Sequence, residues 1–148
     1  DPRTSKMKAR VNHAVKFREL FRPFAPIVTK EAASIFFDFR APEKIDSQPF
    51  AFMMGVTRVR ETARSQLEAV THVDGTARVQ IVHEENDPFL HGLLSEFGKV
   101  SGVPVLMNTS FNRRGEPIVN SPDEAISAFL WTDIDFLVME TFVLFKSP

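Results

Sequence analysis

Residues 87–112 read DPFLHGLLSEFGKVSGVPVLMNTSFN, and the three parts of this stretch decide the fold. Asp87 followed by Pro88 is a helix start: the carboxylate can accept from an early amide, and a proline at the first helical position gives up only an N–H that has no partner there. Phe89, Leu90, Leu93, Leu94, Phe97 and Val100 then recur at helical spacing until Gly102 stops them. A strand over 103–107, VPVLM, follows at once. It runs into Asn108, Thr109, Ser110 and Asn112, short polar side chains around one large apolar one, Phe111. Helix, strand and polar loop are parts of an α/β layer, and the mouth of such a strand is where open α/β sheets bind ligands.

The same reading extends in both directions. Met7, Val11, Ala14 and Val15 predict a helix over 6–20, ended by Pro23, with Arg22 extended because it precedes proline. A second helix is expected over 30–38, a polar loop over 41–49 and a buried strand over 49–56. Asp74-Gly75 between two β-prone runs signals a two-residue hairpin, whose second arm alternates Ala77, Val79 and Ile81 on one face with Thr76, Arg78 and Gln80 on the other. Ser121-Pro122-Asp123-Glu124 is a capping box opening a helix through Ala125, Ile126, Phe129 and Leu130, and IDFLVMETFVLFK closes the chain as one or two strands. The expected fold class is α/β: a mixed, twisted β-sheet covered by helices, in a single domain over 1–148.

Composition narrows the functional classes. With 43% apolar and 25% charged residues the 148-residue chain reads as one globular domain. It has no apolar run of membrane-spanning length and no signal peptide, so a soluble, cytoplasmic protein is expected. The lack of cysteine removes disulfides and thiolate chemistry. Charge is uneven: residues 1–65 hold 13 Lys/Arg against 7 Asp/Glu, and 66–148 hold 5 against 12. A basic N-terminal part suits an anionic ligand, and two oppositely charged segments packed on each other give the same count. A pI near 6.5 argues against a nucleic-acid surface.

Two clusters carry possible chemistry. In NHAVKFRELFRPFAP, Lys16, Arg18 and Arg22 stand among aromatic residues, and guanidinium forks with a movable ammonium suit phosphate or carboxylate oxygens, although a solvated helix face reads the same way. The polar loop can donate to phosphate or carbonyl oxygens, or simply cap turns. His72 shares the apolar face of Ala77 and Val79 and reads as a core histidine, and the other histidines show no metal spacing. Neither a Walker loop nor a dinucleotide glycine fingerprint is present.

DPR at the start, NHAVKFRELFRPFAP, THVDGTARVQ, GVPVLMNTSFNRRGEPIV and DFLVMETFVLF together closely resemble the C-terminal domain of the O-carbamoyltransferases of nodulation-factor and antibiotic biosynthesis. The resemblance implies a YrdC-like fold that takes carbamoyl phosphate and ATP, with Mg²⁺ on the nucleotide, and forms carbamoyl-adenylate. A separate N-terminal transferase domain, outside these residues, would carry the group to a hydroxyl. It further implies that Lys16, Arg22, Arg78 and Ser110 are the catalytic positions. Asn108, Thr109, Asn112 and Arg18 would bind substrate, and an arginine-containing segment would lie upstream of Asp1. A noncatalytic domain that binds an anion or a partner is the alternative from another class.

Overall fold

The computed structural model describes residues 1–16 and 23–146, with Lys16, Pro42 and Glu43 described through their backbone alone. The chain forms two compact units, Asp1–Lys8 with Pro23–Thr109 and Ala9–Arg22 with Ser110–Pro148. Helix α1 (Ser5–Val11) runs into a π-helical turn, Asn12–Lys16, so the described part of the first expected helix is present. Among the described residues no helix is long and apolar enough to cross a membrane.

The first unit is built on strand β1 (Ala25–Thr29), every residue of which is buried. Its sequence, APIVT, is a short apolar run, and such runs suit the interior of a sheet covered on both faces. Helix α2 (Lys30–Phe36), strand β2 (Phe37–Asp38), a short helix α3 (Gln48–Ala51) and strand β3 (Val56–Val59) follow. Next come β4 (Thr76–Arg78), β5 (Gln80–Val82), α4 (Pro88–Ser101) and β6 (Val105–Asn108). One sheet has the order β5-β1-β6, with β1 parallel to β5 and antiparallel to β6, and the other has the antiparallel order β2-β3-β4. Helix α4 lies on the first sheet, packing Leu94 and Leu90 against Ile27, Val82 and Leu106. Asp87 accepts from the Leu90 amide, and Gly102 takes the left-handed conformation at φ 75° that ends the helix. The α/β class, with mixed sheets and covering helices, is as expected.

Three local expectations are corrected. Residues 49–56 are not a buried strand: Pro49 sits in the first turn of α3, where its missing N–H costs nothing, and the strand starts only at Val56. The Asp74-Gly75 turn forms, but the partner of β4 is β3, not the residues just before the turn. Those residues give up alternation because Leu67, Ala69 and Val70 all turn into the core and the Ala69 amide donates to the Pro2 carbonyl at 3.0 Å. Helix α2 ends at Phe36, two residues short, because Phe37 and Asp38 pair with Val59 and Arg58.

In the second unit, α5 (Pro122–Trp131) is capped as expected: Ser121 Oγ accepts from the Glu124 amide at 3.2 Å, while the Glu124 carboxylate reaches back to the Asn120 amide at 2.7 Å. Strands β7 (Phe136–Met139) and β8 (Phe142–Phe145) form a hairpin, and Ala125, Phe129 and Leu137 make its core with Phe111, Val119 and Leu144.

Candidate functional site

Arg78 gets its direction from strand alternation. Ala77 and Val79 are fully buried on either side of it, so the Arg78 side chain must project from the opposite, exposed face. Cross-strand register sets Val56 beside Arg78, and Asp38, Arg58 and Thr76 form the next row on that face. The turn feeding β4 is locked by polar contacts. Asp74 Oδ1 accepts from the Thr76 amide at 3.0 Å and from the Thr76 hydroxyl at 2.7 Å. Those two bonds hold the Asp74 carboxyl below its ordinary range. Gly75, at φ 78°, suits the turn because that dihedral disfavours any side chain, and a Cβ there would also have to displace the end of the Arg64 side chain, 2.5 Å away.

His72 Nδ1 lies 3.0 Å from Thr76 Oγ1. The Thr76 proton goes to a carboxylate, so Nδ1 must carry the hydrogen of that contact and Nε2 is left as the acceptor. Nε2 is buried and has no partner among the described residues, which corrects the expectation of an ordinary, satisfied core histidine. Burial pushes its pKa down; Arg78 and Lys8 add to that, and Asp74 opposes them.

The polar loop divides between the units, Asn108 and Thr109 belonging to the first and Ser110 and Asn112 to the second. Asn108 ends β6, and its amide donates to Gln80 Oε1 at 2.5 Å. Gln80 opens β5 two residues after Arg78 ends β4, in the other sheet, so the Asn108 bond ties β6 to the strand that follows β4. Thr109 is half-buried beside it. In the second unit Ser110 Oγ donates to Asn112 Oδ1 at 2.6 Å, and the Asn112 amide donates to the carbonyls of Glu116 at 2.9 Å and Arg113 at 3.1 Å. Phe111, between them, packs against the α5 and hairpin core. Phe111 is thus the anchor of the loop, and Asn112 is the clasp that closes its turn.

Of the basic cluster, Lys16 ends the π-helical turn with only its backbone described, and Arg18 and Arg22 lie outside the described residues. Gln80 was missed as a candidate. The alternation placed it on the Arg78 face, but glutamine carries no charge to attract notice.

Residues 1–146 match the family model described as carbamoyltransferase C-terminus. The chain belongs to this carbamoyltransferase family. It is 46% identical over all 148 residues to the nodulation protein NolO of Bradyrhizobium diazoefficiens, of which it covers 26%. It is 47% identical over 146 residues (99% of the chain) to the nodulation protein NolNO of Sinorhizobium fredii, of which it covers 21%. A 3'-hydroxymethylcephem-O-carbamoyltransferase of Amycolatopsis lactamdurans is 42% identical over 114 residues, which are 76% of this chain and 20% of that one. The chain therefore spans about a quarter or less of the length of these relatives.

Proposed function

We propose that this carbamoyltransferase domain makes carbamoyl-adenylate from carbamoyl phosphate and ATP, for transfer to a hydroxyl by another part of the enzyme. The observation that carries the reading is the family match over residues 1–146, joined by relatives named as O-carbamoyltransferases. The first unit supports it chemically, because it holds an exposed guanidinium on β4 and an amide pair that joins β5 to β6.

The chemistry balances in two steps. Water cleaves carbamoyl phosphate to carbamate and inorganic phosphate, releasing a proton. A carbamate oxygen then attacks the α-phosphorus of ATP, forming the mixed anhydride as the bond to pyrophosphate breaks. Both steps gather negative charge on phosphoryl oxygens, and fixed cations with amide donors offset it most where water is excluded. Arg78 would anchor the phosphate of carbamoyl phosphate, Asn108 and Thr109 would orient the carbamoyl group, and Ser110 would donate toward the developing charge. Lys16, Arg18 and Arg22 would supply further positive charge. Mg²⁺ would arrive on the nucleotide, whose phosphate oxygens ligate it. Among the described residues no group of three acidic or histidine side chains forms a cage for a separate ion.

The test is release of pyrophosphate from ATP by the purified chain. Release that requires carbamoyl phosphate supports the reading. Binding of carbamoyl phosphate with no pyrophosphate formed at any ATP concentration would leave a noncatalytic anion-binding domain instead.

A further inference from the structure

Asn108 and Gln80 come from opposite edges of the first sheet and meet over its central strand. Asn108 stands opposite Ala25 in the β1-β6 pair, and Gln80 stands opposite Ile27 in the β1-β5 pair. Ala25 and Ile27 share the face that α4 covers, so both amides rise on that face with Ala25 between them. The Ala25 methyl leaves room for the Asn108 amide to reach over β1 and donate to Gln80 Oε1 at 2.5 Å. Both side chains are half-buried, and among the described residues this is the one hydrogen bond that the Asn108 side chain makes. Its Oδ1 is left as an unused acceptor at the end of β6.

The direction of that bond decides what Asn108 offers. The two ends of an asparagine amide have nearly the same shape and are told apart by their partners. With Nδ2 given to Gln80, the end that remains is an acceptor. Gln80 is turned in its own right: it lines a cavity of about 540 Å³ in which Asp46, Glu85 and Asp87 outnumber Lys30. Those carboxylates favour the amino end of the Gln80 amide and leave its carbonyl end for Asn108.

An acceptor distinguishes a carbamoyl group from other acyl groups. Carbamoyl phosphate and acetyl phosphate are nearly the same in shape and differ in an amino group against a methyl. The amino group donates to Oδ1, whereas a methyl in its place leaves Oδ1 desolvated with no donor.

We propose that Gln80 is a positioning residue for acyl specificity, holding Asn108 so that Oδ1 meets the amino group of carbamoyl phosphate and rejects acyl phosphates that lack it. This rests on the reading under Proposed function, which gives Asn108 the carbamoyl group.

The experiment is calorimetric titration of the chain with carbamoyl phosphate and acetyl phosphate in separate runs, read as the ratio of the two affinities. The wild type should prefer carbamoyl phosphate by about tenfold or more, and Asn108→Ala should bring the ratio close to one. Gln80→Leu should lose most of the preference. Gln80→Glu can still accept from Asn108 but cannot donate to it, so it should keep most of the preference, and its added charge weakens both anions alike and cancels in the ratio. A purely structural role for Gln80 would weaken both ligands together and leave the ratio at its wild-type value. A full preference in Gln80→Leu, or its loss in Gln80→Glu as well, overturns the assignment to Gln80 alone, provided the wild-type chain still releases pyrophosphate with carbamoyl phosphate. A wild-type chain that binds neither acyl phosphate overturns this assignment together with the function proposed above.

Discussion

The Asn108 side-chain amide donates to Oε1 of Gln80 at 2.5 Å, over β1, which lies between their two strands. This bond ties the ends of β5 and β6 across the centre of the sheet. Asn108→Ala or Gln80→Ala should each cost about 0.5–1.5 kcal/mol of stability, the net worth of a half-buried hydrogen bond. The double variant should cost less than the sum, since the second change removes a bond already gone. Urea denaturation of the four proteins gives the cycle, and strict additivity would show that the bond does not form in solution.

Arg78→Ala removes an exposed charge held by two buried neighbours and leaves the fold intact. Carbamoyl phosphate binding should weaken by about 1–3 kcal/mol, the range of a charge-assisted hydrogen bond, with the melting temperature nearly unchanged. An unaltered titration would remove Arg78 from the site.

Leu94→Ala should behave in the opposite way. Leu94 is fully buried between α4 and the first sheet, so the truncation leaves a cavity and should cost about 2–5 kcal/mol. Ligand affinity of the protein still folded should be nearly intact, as checked by calorimetry below the shifted melting point.

His72 gives the first unit a sign in its pH response. Burial lowers its folded pKa from the ordinary 6.5, so below that value the unfolded chain binds a proton that the folded chain resists. Its effect on stability is therefore absent at neutral pH and becomes unfavourable as pH falls through about 6.5 toward the lower folded value. Melting temperatures measured from about pH 7.5 to about pH 5 should fall less steeply in His72→Gln than in the wild type. Parallel slopes would mean that His72 is solvated in the folded state.

How far the sequence spoke depended on whether a signal was local. The caps at Asp87 and Ser121, the stop at Gly102 and the alternation through Arg78 are set within a few residues, and each appears where its chemistry puts it. Strand β1, the centre of the first sheet, gave no such signal, because Pro23 and Pro26 read as breaks; Pro26 is tolerated near the start of the strand, where the register pairs it with β6 and the pairing with β5 begins only at Ile27. The partner of β4 was lost for the same reason: its ladder to β3 joins Arg58 and Thr76 across a segment that looked like a strand and packs as turns. At the candidate site, charge and motif named Arg78 and the polar loop. Gln80 and the row Asp38, Arg58 and Thr76 required register, which single-strand periodicity does not contain.

The serine and the second asparagine of NTSFN stand next to each other and should fail in different ways. Asn112 closes its turn with two carbonyl bonds and accepts the Ser110 proton, so it holds the loop in shape. Asn112→Ala should lower the stability of the second unit by about 1–2 kcal/mol and lower the rate through the displaced loop. Ser110 is exposed, and its hydroxyl donates to Asn112 Oδ1. If it donates to charge that develops in the transition state, Ser110→Ala should reduce pyrophosphate release by roughly 100-fold or more while ATP affinity and melting temperature hardly change. Ser110→Thr, which keeps the hydroxyl, should recover much of that rate. If Ser110→Ala instead costs about 1 kcal/mol of stability with no selective loss of rate, the hydroxyl is a turn cap and the chemistry belongs to its neighbours.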